Sequence, residues 1–387
     1  MKIKKITAVI LIICIAVSAF SFSAGAEESE SADAPQFELD CRSAILMEAS
    51  TGKVLYEMNA DESLPPASVT KVMTLLLVME AIDSGKITLD DMVTASAHAC
   101  SMGGSQIYLE EGEQMSVEDM LKSVVIASAN DAAVALAEYV AGTEEAFVEA
   151  MNKKAAELGL TGTNFENTNG LDDTVANHVS TARDIAVMSR ELIKHEKITE
   201  YSSIWMDTIR GGEFGLTNTN RLVRFYKGAT GLKTGSTAKA KFCVTATAER
   251  GGVSLICVIM AAPTRDIRNA AAVSLLDYGF ANYGVYKNEA KTLDPIKVVG
   301  GVRSECSVSY PEFSYVASKS DISRITFEVE LDESAAAPVK VGDKVGRVVY
   351  KLGEEEIGSS DITSDETVDK IDFWGVFWRI LSRISMC

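Results

Sequence analysis

The sequence predicts an α+β protein. An antiparallel sheet begun near the N-terminus is completed by strands from a distant segment, and a small all-β domain and an amphipathic helix follow it. Three observations predict this. Strand signals lie at both ends of residues 39 to 285, with helical patterns between them. Residues 292 to 366 turn to short alternating runs such as "RITFEVEL" and "KVGRVVYKL", separated by Gly, Pro and Asp. Residues 369 to 387 place apolar and polar side chains on opposite faces of one helix.

In chain order, residues 1 to 26 come first. They run from Lys2, Lys4 and Lys5 through an apolar stretch at residues 6 to 20 to the small-residue exit Ala24-Gly25-Ala26. That is the pattern of a cleaved secretory signal peptide, because the stretch is shorter than the ~20 residues of a spanning helix. Its removal takes away three lysines and no acid, leaving −21 from the full chain's −18. A chain so acidic is repelled by phosphate backbones, which excludes nucleic acid as a partner. Residues 27 to 38, "EESESADAPQFE", are acidic and small and read as a linker without a core.

The domain at 39 to 285 opens with "SAILMEASTGKVLYEM", a hairpin turning at Ser50-Thr51-Gly52. A long apolar helix follows Pro65-Pro66. Ser116 with Asp119 starts "SVEDMLKSVVIA", and Thr143 starts a helix that stops at Gly159. "KFCVTATAERGGVSLICVIMAA" reads as two strands about a turn and "RDIRNAAAVSLLDYGF" as a closing helix. The seven cysteines have no CxxC spacing, so neither a metal site nor a disulfide framework is legible; Cys243 and Cys257, flanking the turn, read as buried free thiols. In the tail, Phe373, Trp374, Val376, Phe377, Trp378, Ile380, Leu381 and Ile384 share a face opposite Asp372, Gly375, Arg379, Ser382 and Arg383. That predicts a helix lying on a membrane surface, its arginines toward anionic headgroups.

The chemistry starts at "PPASVTK". The chain holds three SxxK spacings, Ser50 to Lys53, Ser68 to Lys71 and Ser236 to Lys239, but the first is in a hairpin turn and the last in a Gly-flanked turn. Only Ser68 and Lys71 stand at a helix start, where side chains three apart share a face. A lysine in a largely apolar site loses its proton near neutral pH, because desolvation disfavours the charged form, and then activates the serine. Two further stretches add groups. "SAN" puts Ser128 and Asn130 at the break between two helices. "KTG" puts Lys233, Thr234 and Gly235 at the entry to the late strand pair, a cation and a donor for a carboxylate beside a glycine that lets a ligand lie close.

SxxK, then SxN, then KTG is the order of the serine-active penicillin-recognising enzymes. With "GGSQIYLEEGE", "SANDAAVALAE", "MNKKAAELGLTGTNFENTNGL", "TNTNRLV", "GLKTGST" and "LLDYGF", the chain from about residue 39 onward resembles the serine-type D-alanyl-D-alanine carboxypeptidases, the low-molecular-mass penicillin-binding proteins of peptidase family S11. The resemblance implies a β-lactamase/DD-peptidase-like transpeptidase fold, without a cofactor. It implies an exported enzyme on the outer face of the cytoplasmic membrane that trims peptidoglycan stem peptides ending in D-Ala-D-Ala, with β-lactam antibiotics as covalent inhibitors. By the same resemblance Ser68 is the nucleophile, Lys71 its base and Ser128 the relay to the leaving amine. Asn130 holds the substrate amide region, Lys233 and Thr234 hold the terminal carboxylate, and the N–H groups of Ser68 and Ser236 form the oxyanion hole. Two departures are "SAN" where the family usually has "SGN", and Ser236 where some members carry His or Phe. A class A β-lactamase is disfavoured because no Leu-Asn pair supplies its ExxLN loop. His98, His178 and His195 accompany no GxSxG elbow, and "HEKIT" lacks the second His of a zinc motif. A non-catalytic wall-binding homologue is expected to have lost a reacting residue, and none is missing.

Overall fold

Ser43–Glu48 (β1) and Val54–Met58 (β2) form the expected hairpin. Glu48 ties the turn, its carboxylate accepting the backbone N–H of Ser50 at 2.9 Å and of Thr51 at 2.8 Å. Two short ribbons follow, Met92–Thr94 (β3) with Gln114–Ser116 (β4) and Met206–Ile209 (β5) with Phe214–Thr217 (β6). Ala229–Thr237 (β7), Lys241–Arg250 (β8) and Val253–Ala262 (β9) then complete an antiparallel five-stranded sheet of order β2-β1-β9-β8-β7. The computed structural model describes residues 37 to 384 apart from Thr174, so the expected signal peptide, and the linker as far as Gln36, lie outside the described residues.

Both faces of this sheet are covered, which is why β1 is buried along its whole length. Ile45 and Met47 join the helical core with Val258 and Met260. On the other face Leu46 and Leu255 meet Gly279, where a Cβ would come within 2.5 Å of Leu255 Cδ1. The helices that frame the site and cover the sheet include Lys71–Asp83 (α1), Val117–Lys122 (α2), Asn130–Ala141 (α3), Glu144–Glu157 (α4), Ala182–Leu192 (α5) and Arg265–Asn282 (α6). Ser116 and Thr143 cap α2 and α4 as expected, accepting from Asp119 N and Ala146 N, and Thr181 and Thr264 do the same for α5 and α6. Between β8 and β9, Gly251 and Gly252 both take positive φ, +59° and +81°, which matches the twist of a tight hairpin.

Two local expectations change, and the reading of the cysteines holds. "GLKTGST" is not the entry to a strand pair but lies inside β7, a third late strand at the sheet edge. Ser236 is therefore in a strand and not in a turn. Its stretch carries two threonine-glycine pairs and no apolar alternation, so pairing with β8 makes it a strand where local preference does not. Cys243 and Cys257 are free and buried, and they face Gly235 and Ala246 across the sheet rather than each other.

Past α6 the chain builds a second core. Tyr283–Asn288 (β10) pairs with Phe313–Ser318 (β13). A six-stranded sheet runs Ile325–Leu331 (β14), Lys344–Leu352 (β16), Glu355–Ser364 (β17), Glu305–Tyr310 (β12), Lys291–Val299 (β11) and Ser334–Ala336 (β15). Val308, Val348, Tyr350 and Ile362 lie at its centre. The tail forms a helix, Phe373–Ile384 (α7), with its aromatic and aliphatic face exposed, Trp378 at 66%. Arg379 does not point away as expected. Its guanidinium turns back to donate to the carbonyls of Gly301 (3.2 Å) and Val302 (2.7 Å), because the β11–β12 turn leaves those acceptors open beside it. No helix among the described residues is long and apolar enough to cross a membrane.

Candidate active site

Ser68 lies in a 3-10 turn, Ala67–Thr70, that runs straight into α1, so Lys71 opens the helix with its side chain over the serine. Ala67 adopts φ +48°, a conformation a β-carbon disfavours, and neighbouring backbone holds it there. Gly170 packs so closely beneath that a Cβ on it would fall 1.9 Å from Ala67 O. The same loop braces the start of α1 at three more points. His178 contacts Thr70 Oγ1 through Nε2 at 2.7 Å, Asn169 O accepts from Lys71, and Thr168 O accepts from Thr74. His178 Nδ1 accepts the N–H of Glu166, so the ring carries its proton on Nε2, and burial holds its pKa down to about 4.

Lys71 is fully buried, but its cage is polar rather than the largely apolar site expected. Nζ lies 3.0 Å from Ser68 Oγ, 2.5 Å from Asn130 Oδ1 and 2.8 Å from Asn169 O. Burial, and then the charge of Lys233, hold its pKa well below the usual lysine range. A neutral amine has two hydrogens and a lone pair. Asn130 Oδ1 and Asn169 O only accept and together take both hydrogens. In that form, which burial favours, the lone pair faces Ser68, the one partner with a proton to give, whereas the ammonium donates to all three.

Ser128 and Asn130 sit where a single π-helical turn, Ser123–Ala127, ends α2, with Ser128 in the left-handed region at φ +64°. That break swings the hydroxyl out of the helix line and into the cleft, the placement such π-turns often give to functional groups. Ser128 Oγ accepts from Lys233 Nζ at 2.7 Å. Asn130 starts α3 with both ends of its carboxamide engaged, Oδ1 by Lys71 and Nδ2 by Gly103 O at 2.7 Å. It thus ties the amine to the "GGSQ" loop and retains one amide hydrogen for a ligand. Asp131, also buried, holds that loop by accepting the N–H groups of Ile107 and Leu109.

Strand β7 brings the remaining groups. At Gly235 it passes so near the Ser68 turn that a Cβ would lie 2.8 Å from Pro66 O and 2.9 Å from Ser68 N. Only glycine fits this approach. Lys233 is buried with its pKa lowered to about 7, by desolvation first and by Arg268 second, and it donates to Ser128 Oγ and Thr234 O. Thr234 Oγ1 donates to Thr219 Oγ1 at 2.8 Å.

Ser68, Ser128, Thr234, Gly235 and Ser236 line one cleft of about 660 Å3, and Lys71, Asn130 and Lys233 lie buried directly behind it. The structure therefore brings together all eight residues singled out in the sequence. It adds two that sequence reasoning missed. Asn169 supplies a backbone carbonyl, to which side-chain type gives no clue. Arg268 is buried, donates to Cys243 O at 3.2 Å and to Asn269 Oδ1, and lines the same cleft without an acidic partner among the described residues. The pair of basic residues in the "TRDIR" segment was the available signal. Of the other two SxxK pairs, Ser50 Oγ is spent on Glu48, and Ser236 lines the cleft while its Lys239 turns away to donate to Asp172 O.

The D-alanyl-D-alanine carboxypeptidase family, Peptidase S11, matches residues 28–264, and the C-terminal domain of penicillin-binding protein 5 matches residues 283–370. The chain is similar to the D-alanyl-D-alanine carboxypeptidase DacF of Bacillus subtilis, 44% identical over 342 residues that make up 86% of this chain and 87% of the relative. Among solved structures it is similar to penicillin-binding protein 5 from Haemophilus influenzae, 32% identical with a TM-score of 0.70 over 87% of this chain and 99% of that one. It is also similar to penicillin-binding protein D2 from Listeria monocytogenes in an ampicillin-bound form, 33% identical with a TM-score of 0.59 over 64% of this chain and all of that one.

Proposed function

Because this chain belongs to the D-alanyl-D-alanine carboxypeptidase family, we propose that it removes the C-terminal D-alanine from peptidoglycan stem pentapeptides through an acyl-enzyme on Ser68, and that penicillins acylate the same serine. The observation that carries the reading is the placement of the buried Lys71 Nζ 3.0 Å from Ser68 Oγ between two groups that only accept, Asn130 Oδ1 and Asn169 O, so that its neutral form keeps a lone pair for the Ser68 hydroxyl.

The amine takes the Ser68 proton as Oγ attacks the carbonyl carbon of the penultimate D-alanine. Backbone N–H groups at Ser68 and Ser236 receive the oxyanion. Ser128 accepts a hydrogen bond from Lys233, so its own hydroxyl proton is free for the departing amine and is replaced from Lys71. Lys233 and Thr234 hold the terminal carboxylate, with Arg268 behind them adding positive potential. That requirement restricts cleavage to a residue bearing a carboxylate next to the scissile bond. Water then hydrolyses the ester, with Lys71 again as base. No carboxylate lines the cleft among the described residues, which supports slow release of a penicilloyl group and disfavours the β-lactamase reading.

The same reading places the enzyme outside the cell, with α7 on the surface of the cytoplasmic membrane. The exposed aromatic face of α7 supports this, and Arg379, docked on the β domain, fixes the angle of the helix instead of meeting headgroups. Deletion of residues 369 to 387 is expected to abolish co-sedimentation with anionic vesicles while leaving penicillin acylation intact.

The central test is intact-mass spectrometry of the purified protein after brief exposure to benzylpenicillin. A single penicilloyl adduct mapping to Ser68, lost in Ser68→Ala together with D-alanine release, is the expected result. An adduct on another serine, or a folded protein that neither labels nor destroys the antibiotic, would refute the assignment and favour a non-catalytic wall-binding role.

A further inference from the structure

The cleft does not end at the carboxylate clamp. Thr234 and Thr219 are hydrogen-bonded, so the segment after Thr219 runs beside the clamp, and it carries Arg221 to the cleft wall. On the opposite wall the first turns of α6 bring Arg265 and Arg268, close enough to Lys233 that Arg268 depresses its proton affinity. Past them a second recess of about 290 Å3 opens, sharing Arg221 and Phe225 with the main cleft. Phe225 is 73% exposed there, an apolar wall beside the cations.

The charge of this region is opposite to that of the molecule. The chain carries a net −18, yet three arginines line the main cleft and no acid does; Asp266 is the one acid in the adjoining recess. Elsewhere Arg42, Arg183, Arg250, Arg303, Arg324 and Arg347 are held by acids, Arg224 lies over the rings of Trp205 and Phe225, and Arg379 donates to backbone carbonyls. Arg221 and Arg265 have no acidic partner among the described residues. Holding one terminal carboxylate does not require them, because Lys233 and Thr234 already occupy that place.

We propose that Arg221 and Arg265 form an anion subsite on the leaving-group side of the cleft, which takes a leaving residue that carries a second carboxylate beyond the one next to the scissile bond. This rests on the carboxypeptidase reading above and extends it. The substrate class is a D-residue at the head of an acidic peptide, as at a peptide cross-link whose amine is acylated by D-alanine. The chemistry is unchanged. Ser68 Oγ forms an ester with the D-alanyl carbonyl, the C–N bond to the acidic residue breaks, its nitrogen leaves as an amine with the proton relayed by Ser128, and water releases the acyl group. No co-reactant is added.

Three substrates that differ only in the leaving residue test this, diacetyl-L-Lys-D-Ala followed by D-Ala, D-Glu or D-Gln. D-Glu and D-Gln share size and hydrogen-bonding reach, and only D-Glu carries the second charge. Expected is a kcat/KM for D-Glu about five-fold above that for D-Gln, falling toward parity in 0.5 M salt as screened exposed pairs do. Arg221→Gln with Arg265→Gln is expected to remove the preference while D-Ala release and benzylpenicillin acylation stay unchanged, which also shows that the variant is folded. Equal rates for D-Glu and D-Gln in the unaltered protein overturn the subsite, as does a double variant that slows all three substrates alike, since the arginines then serve only the common carboxylate. Absence of D-Ala release from all forms would instead overturn the carboxypeptidase reading.

Discussion

A neutral Lys71 is testable at its neighbour. Asn130→Asp keeps the size and the Oδ1 acceptor but puts a carboxylate 2.5 Å from the amine, which favours the ammonium and consumes the lone pair. The expected result is a fall of about 10³-fold in the rate of penicillin acylation, read by mass spectrometry, with some loss of thermal stability because the Nδ2 bond to Gly103 O goes too. Lys233 gives a pH prediction. Its pKa of about 7 means that the free enzyme loses the carboxylate-binding cation above neutrality, so kcat/KM for D-Ala-D-Ala peptides should decline as pH rises through about 7. Acylation by a neutral ester lacking the carboxylate should show no such decline. The sign for stability is opposite. Between about 7 and the ordinary 10.5 the unfolded chain binds the extra proton, so this lysine's contribution to stability rises with pH across that window. Urea titrations at both ends should show the rise, and Lys233→Met should reduce it, leaving the share that comes from Lys71. The sequence exposed the reacting side chains because hydroxyl and amine at one-turn spacing are a local pattern. It hid the polar cage, because the carbonyl of Asn169 reaches Lys71 across 98 positions of chain.

At the scale of elements, the site is a junction of four short pieces, the Ser68 turn, the π-turn before Ser128, the Gly170 loop and the edge strand β7. Two glycines set their spacing. Gly235→Ala pushes β7 off the serine turn and should cut acylation at least 100-fold while leaving circular dichroism unchanged, since an edge strand shifts without unfolding the sheet. Gly170→Ala combines φ +85° with an overlap on Ala67 O and should cost on the order of 3 kcal/mol in urea unfolding. Hairpins and capped helices were legible because each carries its own signal, such as Thr143 before Glu144 and Glu145, or Gly251-Gly252 between apolar runs. The π-turn was not, since "SVVIA" continues a helical pattern and only tertiary packing loosens it. Strand β7 was missed for the reason given by its composition; it is a strand because β8 offers it hydrogen bonds.

For the whole molecule, the sequence's division into a mixed first part, a β part and an amphipathic tail corresponds to distinct textures, whereas the outward arginine at 379 failed because an acceptor 77 positions away captured it. The order of strands in the main sheet has a consequence of its own. β1, near the beginning, is bonded to β9, which ends at Ala262, and β7 lies two strands further out. Until the late segment arrives, Lys71 is wet, carries its ordinary positive charge and cannot deprotonate anything, so Ser68 is as inert as any surface serine. Reactivity toward penicillin is therefore a stopwatch for topology. In refolding from urea, labelling of Ser68 should lag behind helix formation and begin only as the N-terminal and late strands meet, so the antibiotic finds no target in a chain still in transit.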